Sequence, residues 1–232
     1  MKNVFYMIFG NTITTLFLSL APATALAHDI PLTQTEEKQS PAEAQFYLGL
    51  EYWEQQDYVK AKYWFEKAAM QGNTEAQFNL GVLYDRGLGT KQNYTKAKYW
   101  YEKAAKQGDD EAQYNLGVMY NDGEGVKQNY AQAKYWYEKA AIQGHADAQY
   151  NLGWLYSNGK GTKQDYQQAR YWYQRAAEQG LANAQYNMGR LYAYGLGVKQ
   201  DYSQAAYWWQ KAAAQGVNEA QRNLQVLKQA GY

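Results

Sequence analysis

The chain has 232 residues with 23 basic and 22 acidic side chains, 17% aromatic residues and no cysteine. A near-neutral charge without any Lys/Arg cluster excludes the basic patch with which nucleic-acid binders neutralise phosphates. The lack of thiols excludes disulfide staples and a lipid-modified cysteine anchor, so stability must come from packing, to which each large ring contributes on the order of 150–250 Å².

At the N-terminus, Lys2 gives a short positive region, Ile13 to Leu20 is largely apolar, and Ala25-Leu26-Ala27 is a small-x-small sequence. This pattern predicts a cleaved secretory signal over residues 1–27, with His28 as the mature N-terminus. Asn11, Thr12, Thr14 and Thr15 interrupt the stretch, which disfavours a stable transmembrane helix of about 20 apolar residues. Cleavage would remove Lys2 and no acid, so bases and acids would balance at 22 each. Residues 28–42 contain Pro31, Ser40 and Pro41 without apolar periodicity and read as a flexible leader.

Beyond the leader one segment recurs. Glu75-Ala76-Gln77-Phe78-Asn79-Leu80-Gly81 returns nearly unchanged at Glu111, Asp147 and Asn183, a 36-residue period, and begins again at Glu43 and Glu219. Such a period predicts stacked supersecondary units over 43–74, 75–110, 111–146, 147–182 and 183–218, closed by a half-unit over 219–232. A stack offers an extended surface rather than one deep pocket, which excludes most enzyme folds.

Each unit reads as two helices. Ala76, Leu80, Leu83 and Tyr84 form the stripe of a first helix; after Gly87-Leu88-Gly89, a second stripe runs through Tyr94, Ala97, Trp100, Tyr101, Ala104 and Ala105. Asn93, Asn129, Asp165 and Asp201 are expected N-caps, with capping boxes to Gln132, Gln168 and Gln204. Gly108, Gly144, Gly180 and Gly216 are expected to end the second helices in the left-handed conformation. Gly49, Gly81, Gly117, Gly153 and Gly189 fall inside first helices, where glycine costs about 1 kcal/mol relative to alanine. Close approach of a neighbouring helix backbone is the expected reason. Lys and Glu four apart, such as Glu102 and Lys106, predict surface ion pairs. The short link from Tyr52 to Tyr58 predicts a tight turn in the first unit, and Arg222, Gln225 and Lys228 predict a polar outer face on the last helix.

The sequence Ala-x-x-x-Leu-Gly-x-x-Tyr, then Gly-x-Gly, then Asp/Asn-Tyr-x-x-Ala-x-x-Trp and Ala-Ala-x-x-Gly resembles the Sel-1-like repeat, a relative of the tetratricopeptide repeat. The resemblance covers residues 43–232, and four full units match at every position except Met188, which stands at the leucine. It implies an all-α fold, an αα-superhelix (solenoid) of Sel-1-like, tetratricopeptide-like helix pairs that acts as a protein-interaction scaffold. Secreted bacterial members are associated with envelope functions, signalling or host contact, so a periplasmic or secreted location is expected. A secreted branch whose helix pairs are bridged by disulfides is often labelled β-lactamase; this chain shares its pattern and export but has none of its cysteines.

Several motifs have ordinary explanations. The Gly-x-Gly loops lack the preceding strand and third glycine of a dinucleotide fingerprint and read as turns. Ser157-Asn158-Gly159-Lys160 is a literal Ser-x-x-Lys, but it falls in a repeat loop where Asp85, Asn121 and Ala193 are equivalent to the serine, and no Ser-Asp-Asn or Lys-Thr-Gly accompanies it. His145 reads as a surface residue of an inter-repeat turn rather than a metal ligand, because zinc needs several converging ligands. The expectation is therefore no catalytic centre, cofactor or metal.

The informative positions lie on the face of the first helices opposite the core, which by resemblance to tetratricopeptide arrays lines a concave groove. One column is Phe46, Phe78, Tyr114, Tyr150 and Tyr186; a second is Tyr47, Asn79, Asn115, Asn151, Asn187 and Asn223. A third column, Leu50, Val82, Val118, Trp154, Arg190 and Val226, changes character from unit to unit. Asparagines can exchange hydrogen bonds with an extended peptide backbone, and Trp and Arg are enriched at binding hot spots. Asn79, Tyr114, Asn115, Tyr150, Asn151, Trp154, Tyr186, Asn187 and Arg190 are accordingly the candidate contacts for a protein or peptide partner. The alternatives are that these asparagines pair with neighbouring repeats and the tyrosines complete the core, that the chain is a β-lactamase or peptidoglycan hydrolase, or that it binds peptidoglycan fragments without catalysis.

Overall fold

The computed structural model describes residues 40–232. The expected signal segment, its cleavage site, His28 and most of the leader lie outside the described residues. Within them the chain is entirely helical: α1 (Pro41–Glu54), α2 (Tyr58–Met70), α3 (Thr74–Arg86), α4 (Tyr94–Lys106), α5 (Asp110–Asp122), α6 (Tyr130–Ile142), α7 (Ala146–Asn158), α8 (Tyr166–Glu178), α9 (Ala182–Tyr194), α10 (Tyr202–Ala214) and α11 (Asn218–Gln229). Each odd-numbered helix packs on the even-numbered helix that follows it, and each pair stacks on the next, as in a solenoid. Helix α1 starts at Pro41, two residues before the expected start of the first unit, because Ser40 and Glu43 form a reciprocal capping box. Gln56 takes a left-handed φ of 61° in the tight turn before α2.

The N-caps fall where expected: Asn93, Asn129, Asp165 and Asp201 each accept from free N–H groups of the following first turn. The expected capping boxes at Gln132, Gln168 and Gln204 do not form. The cap residue's own N–H is already taken by a carbonyl of the preceding helix, from Asn129 to Tyr120, Asp165 to Tyr156 and Asp201 to Tyr192, at 2.8–3.0 Å. Gly108, Gly144, Gly180 and Gly216 have φ between 89° and 106°.

The buried glycines answer to rings rather than to a helix backbone. A Cβ on Gly81 would lie 2.5 Å from Cδ1 of Tyr101, and one on Gly153 would lie 2.7 Å from Cδ1 of Tyr173. Phe65, Tyr137 and Trp209 cover Gly49, Gly117 and Gly189 in the same way. Each ring from a second helix is thus seated flat on its own unit's first helix, where only glycine leaves room. The second glycine of each Gly-x-Gly turn has a further duty: a Cβ on Gly89, with φ 61°, would lie 2.7 Å from the backbone nitrogen of Val59 in the preceding unit.

Successive units are stitched by a ladder of buried glutamines that sequence periodicity does not single out. Gln77, Gln113, Gln149 and Gln185 are 2–5% exposed. Each donates to a carbonyl of the previous second helix, for example Gln113 to Ala105 at 3.1 Å. Each also accepts from the glutamine that ends its own unit's second helix, for example from Gln143 at 2.9 Å, and that glutamine donates again to the previous unit's Gly108 carbonyl at 2.8 Å. A fully satisfied buried amide network fixes one stacking register, since a slip would leave its polar groups unpaired.

The outer helices carry the remaining aromatic mass. Tyr63, Tyr99, Tyr135, Tyr171 and Tyr207 are roughly half exposed, and each has a cation four residues on, 4.7–5.1 Å from its ring centroid. The lysine–glutamate pairs run in the opposite direction from the expected Glu102–Lys106: Lys98 meets Glu102 at 2.6 Å, with Lys62–Glu66 and Lys134–Glu138 as repeats of it. Arg222, Gln225 and Lys228 are exposed on α11, where Ala220 and Leu227 make the buried contact. Among the described residues no helix is long and apolar enough to cross a membrane.

Candidate functional site

The aromatic column rests on the rings that cover the glycines. Phe78 lies 5.9 Å from Tyr101, Tyr114 5.9 Å from Tyr137 and Tyr150 5.7 Å from Tyr173, ring centre to ring centre. Phe78, Tyr114 and Tyr150 are half-buried, whereas the rings beneath them are buried. Tyr186 packs on the last cluster, and its carbonyl accepts from the Trp209 indole at 3.1 Å.

The asparagine column is not uniform. Asn79 and Asn115 turn their amides back on their own helix and donate to the carbonyls of Glu75 and Glu111 at 2.9 and 3.0 Å. Asn151 instead lies beside the hydroxyls of Tyr114 and Tyr137 in the preceding unit, and Asn187 lies beside that of Tyr150. The latter two therefore tie neighbouring repeats together. Burial pushes the Tyr114 phenol up to about 12, with Asp147 adding to the rise and the Asn151 amide opposing it. In Tyr150 burial also raises the pKa, against the Asn187 amide and the Arg190 charge.

His145 is not a surface residue. Its side chain is 9% exposed, stacks on Tyr114 at 4.5 Å and caps α7 by accepting from the Ala148 N–H at 3.2 Å. Burial works to lower its pKa, but Glu111 at 3.5 Å, with Asp110 and Asp147, outweighs burial and moves it upward. Histidine thus does the capping that Asn73 and Asp109 do in earlier units. Among the described residues no group of His, Cys, Asp and Glu is arranged to hold a metal ion.

Three candidate contacts, Trp154, Asn187 and Arg190, converge on one cavity of about 190 Å³ between the fourth and fifth units. Ser157, Tyr173 and Leu191 are among its other walls. Asn79 and Asn115 belong to earlier units and do not line it. Trp154 is half-buried and bridges the core clusters on either side of it. Arg190 is exposed and makes a long contact of 3.5 Å with Asn187 Oδ1. The Ser-x-x-Lys sequence does not assemble a nucleophile and base: Lys160 lies 5.3 Å from the centre of the Tyr130 ring, while Ser157 accepts from Asn158 and neighbours the Tyr173 phenol. The role of Ser157 and Tyr173 as cavity walls was open to sequence reasoning only through Ser157, where the equivalent residue changes from unit to unit.

The Sel1 repeat family model matches five consecutive segments, residues 42–73, 74–109, 110–145, 146–181 and 182–217. The chain belongs to the Sel1 repeat family. Among solved structures it is similar to c5321, a protective antigen of uropathogenic Escherichia coli with this fold, at 36% identity and a TM-score of 0.80 over 82% of this chain. It spans 42% of the length of that protein. It is also similar to a Sel1 repeat protein from Oxalobacter formigenes, at 40% identity and a TM-score of 0.74, covering 77% of this chain and 74% of that one. Comparison with curated proteins finds no match. The Sel1 repeat is a scaffold fold commonly used for protein interaction.

Proposed function

We propose that this chain is an exported, non-enzymatic Sel1-repeat scaffold that binds a peptide segment of a protein partner along the face of its first helices, the concave face of the superhelix. The observation that carries this reading is the convergence of Trp154, Asn187 and Arg190 on one cavity. Tryptophan and arginine are the side chains most often found to dominate binding energy, and both stand here in a column that holds Leu50, Val82 and Val118 in earlier units. Tyr114, Tyr150 and Tyr186 add half-buried rings whose positions are fixed by the core beneath them. Asn151 and Asn187 contribute by orienting those tyrosines, and Asn79 and Asn115 by the lone pairs their amide oxygens keep free for a ligand N–H. Similarity to a protective antigen supports an envelope or host-contact setting.

The test is selection of a phage-displayed peptide library on immobilised residues 28–232. Enriched peptides are expected to lose about 2 kcal/mol or more of affinity when Trp154→Ala and Arg190→Ala are combined, with helicity by circular dichroism retained. Unchanged affinity in the double variant would place binding elsewhere. For export, protein recovered from outside the cytoplasm is expected to begin at His28; an intact Met1 on that protein would overturn the signal reading.

A further inference from the structure

We propose that the cavity between the fourth and fifth units is a carboxylate subsite, receiving a carboxyl group of the bound peptide, either an acidic side chain or a free C-terminus. This rests on the peptide-binding reading above and adds the chemistry of one position in it.

The argument starts from Arg190. It stands where four earlier units place Leu50, Val82, Val118 and Trp154, so the stack itself does not require a cation there. Among the described residues none of the ion pairs involves it, and its one side-chain hydrogen bond is the 3.5 Å contact to the neutral Asn187 amide. Most of the guanidinium's five donors are therefore left for a ligand.

The neighbouring hydroxyls add donors as well as acceptors. Ser157 Oγ accepts from the Asn158 amide at 3.2 Å, and the Ser157 hydroxyl neighbours that of Tyr173. Two hydroxyls placed side by side can satisfy only one of their two hydrogens on each other, so one O–H remains available to a further acceptor. Gln164 spends its amide hydrogens on the Ser157 carbonyl, at 2.8 Å, and the Tyr166 hydroxyl, at 3.0 Å. No Asp or Glu lines the cavity. A partly buried site with one cation, spare hydroxyl donors and no anion of its own selects an acceptor-only group that carries a single negative charge.

Comparison between units sharpens the point. The position of Ser157 is Asp85 in the second unit, where the carboxylate itself lies near the equivalent phenol of Tyr101. There the chain supplies its own anion; in the fourth unit a hydroxyl stands in that place, and Arg190 of the next unit brings a cation to the same cavity. The volume of about 190 Å³ suits a carboxyl-bearing side chain or chain end and is below the range of about 300–1,000 Å³ that holds drug-sized ligands. The Trp154 ring and Leu191 supply apolar wall for the aliphatic part of such a group.

The test uses three short peptides on residues 28–232: Ac-Ala-Leu-Glu-Leu-Ala-amide, its Gln analogue as the amide, and the Gln analogue with a free C-terminal acid. Binding is read from the Trp154 indole and Arg190 Nε–H signals in nitrogen-15 NMR, assigned with Trp154→Phe and Arg190→Lys. At least one acid-bearing peptide is expected to bind about tenfold or more tightly than the neutral amide, as a charge-assisted, bidentate guanidinium–carboxylate contact provides. Arg190→Gln should abolish the difference and Arg190→Lys should keep part of it. Equal binding of all three peptides, or movement of neither signal by any of them at low millimolar concentration, overturns the carboxylate subsite. Neither result touches the groove reading, which falls only if library-selected peptides ignore the Trp154/Arg190 double variant.

Discussion

The most direct consequence of the fold is that Gly117→Ala should destabilise the chain although alanine is the better helix former. The backbone term favours the variant by about 1 kcal/mol. Against it, the new Cβ would lie 2.5 Å from Cε1 and 3.0 Å from Cγ of Tyr137, well inside the 3.5–4.0 Å at which carbon atoms attract. Tyr137 is 1% exposed and has the Tyr114 ring 5.9 Å away, so the ring has little room to swing clear. Overpacking of this kind costs about 1–3 kcal/mol and occasionally more; three ring atoms, Cδ1, Cε1 and Cγ, are struck at once, which places the cost near the top of that range. The net expectation is a loss of about 2 kcal/mol, read as a lower urea midpoint at unchanged slope by far-ultraviolet circular dichroism. Combining Gly117→Ala with Tyr137→Leu, which removes the ring, should restore part of the loss. A single variant as stable as the parent would refute the seating of rings on glycine.

Gln143→Ala should cost about 1–3 kcal/mol, because it leaves the buried Gln113 oxygen and the Gly108 carbonyl without their donor; hydrogen exchange should rise first at the joint between the second and third units. Asp109 gives a pH test. Burial, reinforced by Asp110, Glu111 and Glu75 and opposed by its bond from the Ala112 N–H, pushes its carboxyl from 3.8 up to about 6. The folded chain therefore binds this proton more tightly than the unfolded chain. Its contribution is present below about pH 4 and is lost as pH rises through about 6, by at most roughly 3 kcal/mol. Asp109→Asn keeps the cap, as Asn73 does in the preceding unit, and should flatten that part of the stability profile; an unchanged profile between pH 4 and 6 would refute the assignment.

What could be read from the sequence was whatever depends on near neighbours. Helix positions, the N-cap side chains, the left-handed glycines and the stripe of first-helix rings all follow from spacings of a few residues, and the structure has them. The readings that failed concern groups whose partner is set by stacking. Gln132 has the spacing of a capping box, but the N–H it would cap is occupied by the Tyr120 carbonyl of the preceding helix. Gln113 looks like an ordinary polar position, yet its partner Gln143 lies 30 residues away and comes into reach only when the helices pair. The glycine penalty calls for a close neighbour, but backbone and ring are indistinguishable until the partner helix is placed. His145 looked like a tolerant turn residue because Leu181 and Val217 occupy the same place, where no side-chain cap forms.

The same distinction separates what the stack needs from what it leaves free. A residue in the glutamine ladder, or a glycine under a ring, meets an equivalent neighbour in every unit, amide or aromatic ring, so its identity is repeated from unit to unit. The column Leu50, Val82, Val118, Trp154, Arg190 and the column Asp85, Asn121, Ser157, Ala193 obey no such rule. Their variation shows that the repeat geometry does not dictate them. Variation alone would be unremarkable on a solvated face, where most substitutions are near neutral. Here Trp154, Ser157 and Arg190 are brought to one cavity where the fourth unit meets the fifth, so three departures from the repeat fall at a single place. Trp154 packs against the core clusters on both sides and Val82 packs against the core of its own unit, while Arg190 stands exposed beside Trp154 without an acidic partner. On the reading proposed above, that place is where the groove meets its peptide partner.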